Sequence, residues 1–168
     1  MPEPIQYVTI PGDIPDERSE DVEIKSTDIR LAAMNLLARR EHSVRELRNK
    51  LKRRFASESM VDEQLSRLTE EGLQSDARFA ESYAHQRTSR GYGPVRLREE
   101  LRERGVSEAD VNVAIEELAI DWCALASDVL NRKFGARAPQ DIKEKARRVR
   151  FMQYRGFTAD HYQWLLRD

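Results

Sequence analysis

Arg45, Arg48, Lys50, Lys52, Arg53 and Arg54 crowd one short stretch whose only acid is Glu46. Guanidinium and ammonium groups at this density suit one chemistry, the holding of phosphates or carboxylates by charge and donated hydrogen bonds. A second group, Arg96, Arg98, Arg102 and Arg104, is mixed with Glu99, Glu100 and Glu103. A third, Lys143, Lys145, Arg147, Arg148, Arg150 and Arg155, is again strongly basic. Arg40, Arg87 and Lys133 recur ahead of the three groups. From these we take Arg45, Lys52, Arg53, Arg98, Arg102, Arg147, Arg148 and Arg150 as the candidates to face a partner. Together they would trace a stripe fit for a phosphate backbone or an acidic groove. The competing account is a solvated charged surface, and recurrence at equivalent positions argues against it.

Catalytic chemistry finds no such support. His42, His85 and His161 fall near different helix ends and form no i, i+4 pair, so each reads as a surface or cap residue. Cys123 stands alone beside Trp122 on an apolar helix and reads as a buried structural thiol. One cysteine and scattered histidines do not build a zinc site. Neither G-x-x-x-x-G-K-[ST] nor G-x-G-x-x-G occurs, so a nucleotide cradle is not expected. The Gly91-Tyr92-Gly93-Pro94 stretch is short and reads as a helix–helix turn. The expectation is a protein that is not an enzyme and that carries no cofactor and no metal. Tyr83, Tyr92, Tyr154, Phe157, Tyr162 and Trp164 could in principle stack on bases. Their spacing favours core packing, with Tyr92 and Trp164 fitting that reading least well.

The elements that must position the cations are helices, and they repeat. Leu47, Leu51, Ser57, Val61, Leu65 and Leu68 are matched by Leu97, Leu101, Ser107, Val111, Ile115 and Leu118. Residues 155–166, RGFTADHYQWLL, echo residues 104–115, RGVSEADVNVAI. An internal period of this kind signals an array of similar units. Ile29, Ala32, Ala33, Leu36 and Leu37 follow the buried-face pattern of a first helix. Ser43 with Glu46 three residues on has the pattern of a capping box. Ser57 or Ser59 starts a third helix, and Gly72 fits a left-handed end. Ser75-Asp76 opens the second unit, Pro94 takes a first helical position, and Ser107 caps again. The third unit is expected to break at 119–121, to restart a helix at Pro139 and to cap a terminal helix at Thr158. The predicted fold is all-α, with three tandem three-helix repeats over residues 26–73, 74–118 and 119–168.

Charge separates the ends of the chain. Residues 1–28 hold eight acids against Arg18 and Lys25, a net of −6, and since the whole chain carries −1 the rest carries +5. Residues 1–25, with Pro2, Pro4, Pro11 and Pro15, have little to bury and read as a loosely ordered acidic tail, with residues 5–10 able to extend as a strand. That tail either solubilises the protein or shields the stripe until a partner competes. A single cysteine and the lack of any long apolar run or secretory pattern point to the cytoplasm.

The first unit carries Leu37, Arg39, Arg40, His42, Ser43, Glu46, Leu47, Lys50 and Leu51 in one spaced motif. The second carries Ala77-Arg78-Phe79-Ala80-Glu81, Tyr83, Arg87, Gly93-Pro94, Arg96-Leu97, Glu100-Leu101 and Arg104-Gly105-Val106. Lys133-Phe134-Gly135 and Arg155-Gly156-Phe157 mark the third. In this order and at these spacings the chain resembles the RecX family of bacterial recombination regulators over about residues 29–168. Ser75-Asp76 departs from the two acids common in that family, and Ser still caps. The resemblance implies three tandem three-helix repeats in an elongated, curved molecule. It implies a monomeric, non-enzymatic modulator of the RecA recombinase that lodges in the groove of the RecA filament on single-stranded DNA. It further implies inhibition of ATP hydrolysis, strand exchange and co-protease activity. The same stripe would give weak direct DNA binding, and a general helical DNA-binding protein without a recombinase partner is the alternative.

Overall fold

The computed structural model describes residues 26–166. The acidic tail and its extended stretch at 5–10 lie outside the described residues. Among the described residues the fold is all-helical, with α1 (Ser26–Leu37), α2 (Val44–Lys52) and α3 (Glu58–Glu70) first in order. They are followed by α4 (Asp76–Ser89), α5 (Pro94–Glu103) and α6 (Glu108–Glu117). The last group is α7 (Trp122–Phe134), α8 (Ile142–Arg155) and the single turn α9 (Ala159–Tyr162), which runs into a 3-10 turn at Gln163–Leu166.

Side-chain caps set most of the helix starts. Ser43, Ser57, Ser75 and Ser107 accept the amides of Glu46, Met60, Arg78 and Asp110. Asp121 accepts the amides of both Cys123 and Ala124. Each cap satisfies an amide that the helix itself leaves unpaired and stabilises by about 1 kcal/mol. The break at 119–121 is sharp because Ala119 takes a left-handed φ of 47° between α6 and Asp121. Gly72, with φ of 71°, lets the chain reverse after α3.

Three expectations are corrected. The capping box at α2 is half made, because the Glu46 carboxylate is drawn to Arg40 at 3.0 Å and Arg104 at 3.6 Å instead of returning to the cap amide. Helix α8 starts at Ile142 and not at Pro139, since Asp141 caps the Glu144 amide at 2.7 Å and Glu144 in turn accepts the Gln140 amide at 2.9 Å. The terminal helix tightens into a 3-10 turn after Tyr162.

Each group of three helices has its own core. Ile29, Leu47, Leu51, Val61, Leu65 and Leu68 form the first, and Phe79, Leu97, Leu101, Val111 and Ile115 the second. Ala126, Val129, Leu130, Met152, Phe157 and Tyr162 form the third. In the first two groups the first and third helices pack most closely, with the second packed against both, and in the third α7 packs on α9. The second helix of each unit therefore buries one leucine- or methionine-bearing edge and leaves its other faces for the cations.

Candidate interface along the basic helices

The three basic helices meet end to end. At the N-terminus of α2, the Ser43 hydroxyl donates to the Arg104 carbonyl at 2.8 Å and the Arg45 guanidinium to the Glu103 carbonyl at 3.0 Å, both at the C-terminus of α5. At the N-terminus of α5, the Gly93 amide donates to the Arg155 carbonyl at 2.8 Å and the Val95 amide to the Gly156 carbonyl at 3.1 Å, both at the C-terminus of α8. Side-chain donors at the start of α2 and backbone amides at the start of α5 thus satisfy carbonyls that the preceding helix end leaves unpaired, and a positive helix end meets a negative one at each junction. The column joins α8, α5 and α2 in that order through their ends, with a summed helix length on the order of 50 Å at about 1.5 Å per residue.

Further links brace the first junction. Asp76 accepts the Val44 amide at 2.9 Å and the Gln74 amide group at 2.8 Å, and Gln74 donates also to the His42 carbonyl. His42 is 2% exposed, not a surface residue. Its Nδ1 faces the Arg40 carbonyl and its Nε2 faces the Lys50 ammonium, each at 3.0 Å, which fits a neutral ring with the proton on Nδ1. Burial lowers its pKa, with the Arg40 and Lys50 charges acting in the same direction.

The eight candidate cations separate into three groups. Arg53, Arg147 and Arg150 are exposed, and neither the Arg53 nor the Arg150 side chain makes an ion pair or hydrogen bond among the described residues. Arg147 reaches Glu144 only at 3.9 Å. Arg45, Lys52, Arg98 and Arg102 are engaged. Arg45 holds the Glu103 carbonyl, and Lys52 pairs with Glu58 at 2.7 Å. Arg102 grips Glu108 through two nitrogens at 2.7 and 2.8 Å, and Arg98 bonds Asn112 with the same Glu108 at 3.7 Å. The hydrogen bond from Arg102 holds the Glu108 carboxyl below its usual pKa.

Arg148 stands apart because it is buried, at 2% exposure. It donates to the Arg137 carbonyl and to Glu144, each at 2.7 Å, with its guanidinium 5.3 Å from the centre of the Phe134 ring. It ties the α7–α8 loop to α8 and presents nothing to a partner. Cys123 is half-buried, not buried, with the Asp160 carbonyl 3.9 Å from Sγ. Among the described residues no group of three or more His, Cys, Asp or Glu could hold a metal ion.

A second cluster sits where α4, α5 and α8 converge. Glu100 accepts from Tyr83 at 2.7 Å, from Arg87 through two nitrogens, and from Arg96 at 2.9 Å. Burial alone would raise the Glu100 carboxyl, and the bonds from Arg87, Tyr83 and Arg96 outweigh it and hold it below the usual range. Burial and the Glu100 bond push the Tyr83 phenol up to about 12. The Tyr92 ring lies among Arg87, Arg155 and Arg96, at 3.7, 4.8 and 5.2 Å from its centre, and is thereby spent on packing.

Comparison with known proteins places these three groups. Residues 30–68, 75–115 and 120–163 match the first, second and third three-helix domains of RecX. A regulatory protein RecX of Pseudomonas fluorescens is 47% identical over 138 residues, covering 82% of this chain and 89% of that one. One from Pseudomonas putida is 48% identical over 132 residues, covering 79% and 85%.

The chain belongs to the RecX family.

Solved RecX structures share the fold at low identity. A crystal structure of a regulatory protein RecX has a TM-score of 0.68 at 21% identity, over 83% of this chain and 72% of that one. RecX from Lactobacillus salivarius has a TM-score of 0.65 at 20% identity, over 84% and 94%. In this RecX chain the residues missed from sequence are Asp76, Gln74 and Glu108. Asp76 was readable only as a first-turn acid, and Glu108 as one more acid beside a cap. What they bond lies across a unit junction or across a turn, where spacing along one helix gives no signal.

Proposed function

We propose that this RecX protein regulates the RecA recombinase, lodging in the groove of its filament on single-stranded DNA. There it would suppress ATP hydrolysis, strand exchange and co-protease activity in the cytoplasm. The observation that carries the reading is the end-to-end column of α8, α5 and α2, with exposed and at most loosely paired cations towards its two ends. Arg53 marks one end and Arg147 and Arg150 the other, while Glu108 neutralises the middle. A filament repeats its subunits along an axis, so two charged ends held at a fixed separation can engage successive subunits or the DNA between them. Contacts within one chain gain from effective concentration, so weak units add to tight binding. Arg45, Lys52, Arg98 and Arg102 would contribute by exchanging their present partners for the filament's acids or phosphates. Occupying the groove excludes incoming duplex and opposes the subunit movement that hydrolysis needs.

The alternative, a general DNA-binding protein, uses the same cations. Measuring affinity for bare single-stranded DNA and for the RecA filament on the same DNA separates the two. The proposal expects the filament to bind at least about tenfold more tightly, a coupling of about 1.4 kcal/mol. Equal affinities would favour the alternative.

A further inference from the structure

One exposed aromatic is unexplained by core packing. Tyr154 is 65% exposed, although its neighbours Phe151 and Phe157 pack inward. It lies in the last turn of α8, in register with Lys143, Arg147 and Arg150. The spacing of 143, 147, 150 and 154 is i, i+4, i+7, i+11, which puts all four side chains on one helical face. Lys143, Arg147 and Arg150 are exposed and line one open groove of about 450 Å³ with Asp141 and Glu144. The Arg96 guanidinium lies over the Tyr154 ring at 4.6 Å and donates to the Tyr154 carbonyl at 2.9 Å, so one side of the residue is fixed from the neighbouring unit. Arg96 is itself held by Glu100. The ring is thus oriented by a braced guanidinium and remains largely open to solvent.

We infer that Tyr154, backed by Arg96, is a stacking platform for a base of single-stranded nucleic acid whose phosphates lie along Arg150, Arg147 and Lys143. Charge selects this occupant. The face carries three cations against Asp141 and Glu144 at its far end, and Glu144 is already engaged by Arg148. Successive cations stand about 4.5–6 Å apart along the axis at about 1.5 Å per residue, a row that suits an extended strand better than a compact ligand. An open aromatic at the end of a row of cations offers both halves of a nucleotide their partners, the π-face for the base and guanidinium for the phosphate. The inference stands apart from the recombinase reading, since it concerns bare nucleic acid.

The test compares two fluorescent single-stranded probes of equal length and charge, an oligothymidylate and the same backbone with abasic positions. They are titrated with the full-length chain and with Tyr154→Ala, Tyr154→Phe and Tyr154→Trp. A stacking platform predicts that the native chain prefers the base-bearing strand at least about fivefold. Tyr154→Ala should abolish that preference, and Tyr154→Phe and Tyr154→Trp should keep it. Matching melting curves for the four chains exclude unfolding as the cause. Equal binding of the two probes by the native chain, or no binding of either, overturns the inference. So does a preference that survives Tyr154→Ala. If the tyrosine served a protein surface instead, Tyr154→Ala would weaken recombinase inhibition and leave both oligonucleotide affinities unchanged, which also overturns it.

Discussion

The Gly93 amide donates to the Arg155 carbonyl at 2.8 Å, and this bond joins the start of α5 to the end of α8. The approach leaves no room for side chains. A Cβ on Gly93 would sit 2.6 Å from the carbonyl carbon of Gly156, and one on Gly156 would sit 2.5 Å from the Arg96 amide nitrogen. Gly156 also has a φ of 87°, in the left-handed region. Gly156→Ala should therefore cost about 2–4 kcal/mol from strain and displaced backbone. Chemical denaturation checks this, and a loss under 0.5 kcal/mol, about the size of an ordinary surface change, would contradict the close approach.

Glu108 should act as a brake on the middle unit. It engages both Arg102 and Arg98. Glu108→Gln frees two guanidiniums and should tighten binding to the recombinase filament by a few-fold at low salt, with a steeper salt dependence. Filament-binding isotherms at two salt concentrations measure it. Unchanged affinity would mean that Arg98 and Arg102 do not face the partner.

Arg148 and Arg150 should behave oppositely, though two residues apart on one helix. Arg148→Ala removes the partner of the half-buried Glu144 and of the Arg137 carbonyl, and should cost about 2–3 kcal/mol of stability. Arg150→Ala should leave stability within about 0.5 kcal/mol and weaken binding. Thermal melts and binding titrations of the pair decide the point. Reversed phenotypes would misplace the contact face.

Glu100 should make stability acid-sensitive. Its folded pKa lies below the ordinary value of 4.5, so its contribution is complete above that value and fades as pH falls through the folded pKa. Glu100→Gln should flatten the pH dependence of stability below pH 4.5 while lowering stability at neutral pH, by about 1–2 kcal/mol for loss of a partly buried charged partner to Arg87. Denaturation midpoints across pH 3–7 (a range about the carboxylate value) provide the measurement, and parallel curves for the two proteins would refute it.

The unit structure was legible because its signals are local. Ser43, Ser57, Ser75 and Ser107 each cap a helix that the apolar period announces, and Asp121 does so at the break. The end-to-end column was not legible, since Gly93 and Arg155 are distant in sequence and meet through backbone atoms that every residue possesses. Which arginines face out was only partly legible. Arg147 and Arg148 are adjacent, and a single step of about 100° carries one to solvent and the other inward. A stricter reading of period would have found it, because Arg148 stands four residues before buried Met152 and four after its partner Glu144. Tyr154 escaped for the converse reason. Its aromatic type suggested burial, while its register with Arg147 and Arg150 places it on the charged face.

The most direct test of the account is DNA-dependent ATP hydrolysis by the RecA recombinase, titrated with the native chain and with a variant carrying Arg53→Ala, Arg147→Ala and Arg150→Ala. The account predicts that the native chain suppresses hydrolysis in a saturable, salt-sensitive manner. The triple variant, folded to the same melting temperature, should need at least about tenfold more protein for the same suppression. Hydrolysis untouched by the native chain, or suppressed equally by both, would contradict it.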